Sequence, residues 1–165
     1  MIIVSDTSPL ISLMKASLLD VLQRLFGTIL IPEAVFSELT TNPDYQDEAE
    51  QIKAAPFITI VSVKEHKTVD VLRRATGLDL GESEAIVYAD ENSADVLLMD
   101  EAAGRRVAKS MGLRILGSIG ILLAAYDERI LTSEDVDAAV DTLKNANRRI
   151  SEELVAYART YVRKQ

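Results

Sequence analysis

Four carboxylates, Asp6, Glu38, Glu82 and Asp100, are the side chains of this sequence best spaced to act together. The chain has one histidine, His66, and no cysteine. Thiolate nucleophiles, disulfides and thiolate or histidine-rich metal sites are therefore excluded. A Ser-His-Asp triad would have to use His66, which falls in a polar stretch, and there is no G-x-S-x-G elbow to carry the serine. Clustered carboxylates repel at low dielectric and require protons or a cation. An all-oxygen site suits Mg²⁺ or Mn²⁺. Such an ion can activate water and stabilise an in-line phosphoryl displacement.

The elements must bring these acids together. Short apolar runs at 2–4, 28–31, 57–63, 96–99 and 114–116 read as five strands. Helical periodicity separates them, over 10–26 with a break near 15–17, after Pro32 in its first turn, and at 44–54, 69–75, 80–92, 101–110 and 118–126. Alternating strands and helices with continuously apolar strands predict a parallel sheet covered on both faces. Ligands of such sheets bind outside the carboxyl ends of the strands. Asp6 follows the first strand and Asp100 the fourth. The helix opening at Leu80 runs back against the fourth strand, so its first turn shares that end. Glu38 lies about six residues into its helix, ~9 Å along the axis, and its side chain leans back toward the helix start.

Glu82 and Glu84 compete for the inward position, because two residues on a helix are ~200° apart. Glu82 shares the more apolar face, with Ala85, Ile86 and Ala89, and is the expected inward acid. Each acid also has a structural use. Asp6 and Asp100 can cap the helices that follow them, Glu82 can complete a capping box with Asp79, and Glu38 can be an ordinary surface acid.

After Tyr126 the pattern is helical only. Thr132 and Ser151 are expected caps, and Ile150, Leu154, Ala158 and Tyr161/Val162 form one apolar stripe. Residues 1–130 thus read as an α/β domain, with 131–165 a helical appendage packed on it. The net charge is −8, with 26 acids against 18 bases. Taken alone, this argues against a nucleic-acid binder. The excess is uneven: residues 144–165 carry +4, leaving −12 for the rest. Arg105 and Arg106 beside Asp100, and Arg148 and Arg149 in the basic tail, are the candidate phosphate contacts, each otherwise a solvated helix face. Gly117-Ser118-Ile119-Gly120 lacks the P-loop spacing and lysine and reads as a tight turn. No uninterrupted apolar stretch approaches the ~18 residues of a membrane span. A soluble, cytoplasmic protein is expected.

Three blocks, IIVSDTSPLISL, ILIPEAVFSEL and GLDLGESEAIVYADENSADVLLMDEAAGRRVA, resemble the PIN-domain family of metal-dependent ribonucleases. The likeness is to its VapC-like branch, whose members are often described as nucleic-acid-binding proteins, and it covers roughly residues 1–130. It implies a three-layer fold with five parallel strands in the order 3-2-1-4-5 and helices on both faces. It implies a Mg²⁺ or Mn²⁺ site, with Asp6, Glu38, Glu82 and Asp100 as its acids and Ser8 as a polar companion. In the family an acid opens the helix 18 residues before the one that follows strand four, which selects Glu82. The resemblance also implies an RNA substrate, a small antitoxin partner and a homodimer. Glu82 stands where many relatives have Asp, which bears on the metal geometry, and Ala102-Ala103 stands where many active relatives place a further acid or polar residue, which leaves the site open to one metal or two. The other readings are a non-catalytic PIN-like binding module and a small-substrate hydrolase.

Overall fold

The computed structural model describes residues 1–146, 148 and 150–164. Its sheet is wholly parallel, in the order β3-β2-β1-β4-β5. The strands are β1 (Ile3–Ser5), β2 (Ile29–Pro32), β3 (Ile58–Val61), β4 (Val96–Leu98) and β5 (Ile115–Leu116). The ten described α-helices are α1 (Thr7–Lys15), α2 (Asp20–Phe26), α3 (Glu33–Thr41), α4 (Gln46–Ala54), α5 (His66–Thr76), α6 (Leu80–Glu91), α7 (Ala102–Ser110), α8 (Ser118–Asp127), α9 (Ser133–Asn145) and α10 (Glu152–Arg163). The expected α/β class, strand order and covering helices are all present.

Local chemistry sets the boundaries. Ser17 takes a left-handed backbone, φ 58°, and separates α1 from α2. Pro32 ends β2 and precedes α3, one position earlier than the helical placement expected for it. Pro43–Tyr45 forms a 3-10 turn before α4, because the Asn42 side chain accepts from the Asp44 amide and tightens the chain there. Capping boxes start α6 (Asp79 with Glu82) and α9 (Thr132 with Asp135), and Ser151 caps α10.

Strand alternation divides the core. Ile3 and Leu98 face one layer with α1, α2, α8, α9 and α10; Val4, Leu97 and Met99 face the other with α6 and α7. β1 lies at the centre, with Val4 opposite Leu30 on one side and Leu97 on the other. α9 and α10 contribute Val136, Val140, Leu143, Val155 and Val162 to the larger cluster. The buried stripe of α10 is Val155, Ala158 and Val162, whereas Leu154 is exposed. α10 packs against both α8 and α9; Ala158 and Val162 of the expected stripe are buried, Ile150 and Tyr161 pack against the same cluster, and Val155 takes the inward place expected of Leu154.

Candidate metal centre at the carboxyl end of the sheet

β1 ends in Asp6, whose amide donates to the Leu98 carbonyl (3.0 Å) and is thereby fixed beside the end of β4. The Asp6 side chain is only 3% exposed. It occupies the N-cap position of α1 but makes no capping hydrogen bond. The expected capping role of Asp6 is therefore not seen. Burial raises its pKa well above the usual aspartate range; the Thr7 backbone amide opposes this, and the charges of Glu82, Asp79 and Glu38 raise it further.

Those three acids come from two neighbouring helices. Glu38 on α3 accepts from the Thr7 hydroxyl (2.8 Å), which turns it toward the start of α1. A Cβ on Gly81 would lie 3.3 Å from Glu38 Oε2 and 3.6 Å from Asp79 Oδ1, so glycine here lets α3 and the start of α6 approach with their acids together. Glu82 is buried as the helical-face argument requires. It also fills its structural role, with Oε2 accepting from the Asp79 amide (3.0 Å) while its own amide donates to Asp79 Oδ1 (2.8 Å). Oε1 has no partner in that box and points toward Gly104 of α7. Burial raises the Glu82 pKa, the Asp79 amide opposes it, and Asp79, Glu101 and Glu38 add to the rise. Glu84 faces elsewhere: its Oε2 accepts from the Ala34 amide (3.0 Å) and satisfies the start of α3.

Asp100 is not drawn into this group. Its Oδ1 accepts from the Ser118 amide (2.7 Å) and its Oδ2 from the Ser118 hydroxyl (2.5 Å). It caps neither α7 nor its own turn; it reaches across the end of the sheet to α8. A charge-assisted pair of donors at a helix start is a strong pull. Glu101 instead stands at the α7 N-cap, exposed, and accepts from the Ser8 hydroxyl (3.4 Å). Ser8 thus lies between the two sets of acids.

Asp79, Glu101 and Ser118 were not among the residues picked out for the site. Asp79 reads in the sequence as a cap alone, and nothing local marks Ser118 as the partner of a carboxylate 18 residues away. Arg105 donates through Nη1 to the Met99 carbonyl (2.8 Å). Arg148 donates through Nε to Ser12 Oγ and through Nη2 to the Ser8 carbonyl (both 3.1 Å). Both arginines line a cavity with Ser8, Asp100 and Glu101. Arg106 is exposed and does not line it, and Arg149 lies outside the described residues.

Among the described residues, no three acidic or histidine side chains stand close enough to hold a metal ion as placed. Among the described residues, none of Asp6, Glu38, Asp79, Glu82 or Asp100 forms an ion pair. The donor set is entirely oxygen and includes the buried carboxylates of Asp6 and Glu82. In kind and charge it fits a hard divalent cation. Asp100 remains able to contribute, since each oxygen bonded to Ser118 keeps a second lone pair.

A family model for the PIN domain matches residues 2–163. No curated protein and no solved structure matches the chain. PIN domains are commonly nucleases and typically use divalent metal ions, which agrees with the oxygen donors at the sheet end. The match takes in β1, the acid-bearing helices and also α9 and α10, beyond the blocks that carry the resemblance. With all but a few terminal residues accounted for, the chain belongs to the PIN-domain family.

Proposed function

We propose that the protein is a Mg²⁺- or Mn²⁺-dependent endoribonuclease of toxin-antitoxin type. The observation that carries this reading is the group of Asp6 and Glu82, both buried, with the half-buried Glu38 beside them, and among the described residues none of the three forms an ion pair. These three, with Asp100, would hold the ion. When bound, the ion would supply activation of water and stabilisation of charge on an in-line phosphodiester displacement. Asp6 and Glu82 fix the donor charge at the end of β1 and the start of α6. Ser8 orients Glu101, and Thr7 orients Glu38. Arg105 and Arg148 supply positive charge against RNA phosphate, which the chain as a whole lacks. Arg159, by contrast, is committed to Asp137 and Asp141. The toxin-type reading carries with it a small antitoxin protein, a homodimer and a cytoplasmic location. Among the described residues no helix is long and apolar enough to cross a membrane.

The decisive experiment is cleavage of a labelled single-stranded RNA with Mg²⁺ or Mn²⁺ added. Cleavage should vanish in excess chelator, and full activity in chelator would sink the assignment. Arg148→Glu should weaken RNA binding and flatten its dependence on salt.

The two acids of α6 give a second test. Glu82→Gln should lose most of the cleavage, because it removes a charge from the buried group. Glu84→Gln should keep cleavage within a few-fold and lower stability by about 1 kcal/mol, since its role is a charge-assisted bond to the α3 amide. Equal losses of activity in the two variants would put the wrong acid in the site.

The alternative, a PIN-like module that binds without cleaving, draws support from Asp100, which faces Ser118 instead of the other acids. Calorimetric titration with Mn²⁺ separates the two readings. Absence of binding at neutral pH favours the module.

A further inference from the structure

The cavity beside the acids has a volume of about 740 Å³ and continues well past them. That is ample for a small ligand. Its lining is mixed. Ser8, Asp100, Glu101, Arg105 and Arg148 supply the polar groups. Ile119 and Leu123 of α8, with Leu154 and Tyr157 of α10, supply apolar surface.

Tyr157 is unusual in this chain. There are five tyrosines, three phenylalanines and no tryptophan, and Tyr157 is the one aromatic that is exposed, at 56%. Its ring is nevertheless held from behind. It leans at 47° on Tyr161, with centroids 6.1 Å apart, and Tyr161 packs edge-on against Tyr126 of α8 at 6.5 Å. The Tyr161 hydroxyl donates to Asp127 and the Tyr126 hydroxyl to the Val162 carbonyl. Tyr157 is thus the outermost of three anchored rings, with one side left to solvent at the cavity rim. Arg148 uses Nε and Nη2 within the protein, and among the described residues its Nη1 has no acceptor.

A nucleotide combines the two kinds of group these residues can receive, an anionic phosphate for the arginines and a flat base whose face can stack on a ring. Bases stack on exposed aromatic rings with little regard to identity. A base inside a duplex already has both faces covered and is not offered to a protein ring. We propose that this cavity is a subsite for one unpaired nucleotide of single-stranded RNA, its base against Tyr157 and Leu154 and its phosphate toward Arg105 and Arg148. Calling that RNA a substrate rests on the ribonuclease reading above; the binding itself needs neither metal nor cleavage.

The test is calorimetric titration of the full chain in EDTA with uridine and adenosine 5′-monophosphates, and with ribose 5-phosphate and inorganic phosphate as baseless probes. Both nucleotides should bind about tenfold or more tightly than ribose 5-phosphate. Tyr157→Ala should erase that margin and Tyr157→Phe should retain it, while Arg148→Ala should weaken nucleotide and ribose 5-phosphate alike. Equal affinity for nucleotide and ribose 5-phosphate, or an unchanged margin in Tyr157→Ala, overturns the proposal. So does self-association that Tyr157→Ala abolishes in a protein that binds no nucleotide, which would give the ring to a second copy of the chain. Nucleotide binding without metal-dependent cleavage leaves the subsite standing and removes the ribonuclease reading. Cleavage without the base-dependent margin does the reverse.

Discussion

Asp6→Asn is expected to abolish metal-dependent RNA cleavage and, in the same molecule, to raise the melting temperature of the metal-free protein. The loss should exceed about a hundredfold, because even the outer partners of metal ligands cost 10–100-fold when removed. The gain in stability follows from burial. Asp6 is almost wholly enclosed, and its charged form is penalised by desolvation and by Glu82, Asp79 and Glu38. Asparagine removes the charge and keeps the shape. Because the folded-state pKa of Asp6 is raised, the proton is held more tightly folded than unfolded. The parent therefore loses stability as pH rises from the ordinary aspartate pKa through the raised one. Below that window both proteins carry a neutral side chain and should melt alike. Above it Asp6→Asn should melt several degrees higher. Adding Mn²⁺ should reverse the order by stabilising the parent alone. Thermal melts across pH, with and without Mn²⁺, check each part. A variant that melts lower than its parent at neutral pH in chelator would contradict the electrostatic account.

The second large effect concerns the core. Leu143→Ala on α9 should cost about 2–5 kcal/mol, the usual range for emptying a fully buried leucine site. Leu143 is 1% exposed and belongs to the same cluster as Ile3 of the central strand and Leu122 of α8. We propose that residues 131–165 are one cooperative body with residues 1–130, so unfolding should remain a single transition at a lower temperature. A loss below about 0.5 kcal/mol, or a separate early transition, would instead make α9 and α10 an independent unit. Circular dichroism melts with calorimetry distinguish these outcomes.

Much of the frame was legible because it rests on local rules. Continuous apolar runs marked each strand, and caps at Asp79, Thr132 and Ser151 lie where their residue types predict. Helical geometry favours Glu82 over Glu84, as does its spacing from Asp100, and the structure buries Glu82 and sends Glu84 to the Ala34 amide. What escaped the sequence is set by distant partners. Asp100 is held by Ser118, a residue no periodicity links to it. Asp79 looked like a cap and is also one of the charges acting on Asp6. The inward face of α10 depends on where two other helices stand, so Leu154 and Val155 exchange roles and the exposed ring of Tyr157 could not be foreseen. Net charge misled in the same way: −8 describes the whole chain, whereas the cavity wall presents Arg105 and Arg148 beside its acids.

The central place of β1 has a consequence for synthesis. The first strand made pairs on one side with β2 and on the other with β4, whose residues 96–98 follow some ninety positions later. A nascent chain that has emerged through α5 already contains Asp6 and Glu38, but it lacks α6 and β4, and with them Glu82 and the carbonyl that receives the Asp6 amide. Contacts of such long sequence separation form late. The acids therefore meet only after more than half of the chain has left the ribosome, and the wall that carries Tyr157 closes later still. A protein that cuts RNA would be made beside a ribosome full of it, and this strand order would withhold the assembled acids until more than half of the chain has been made.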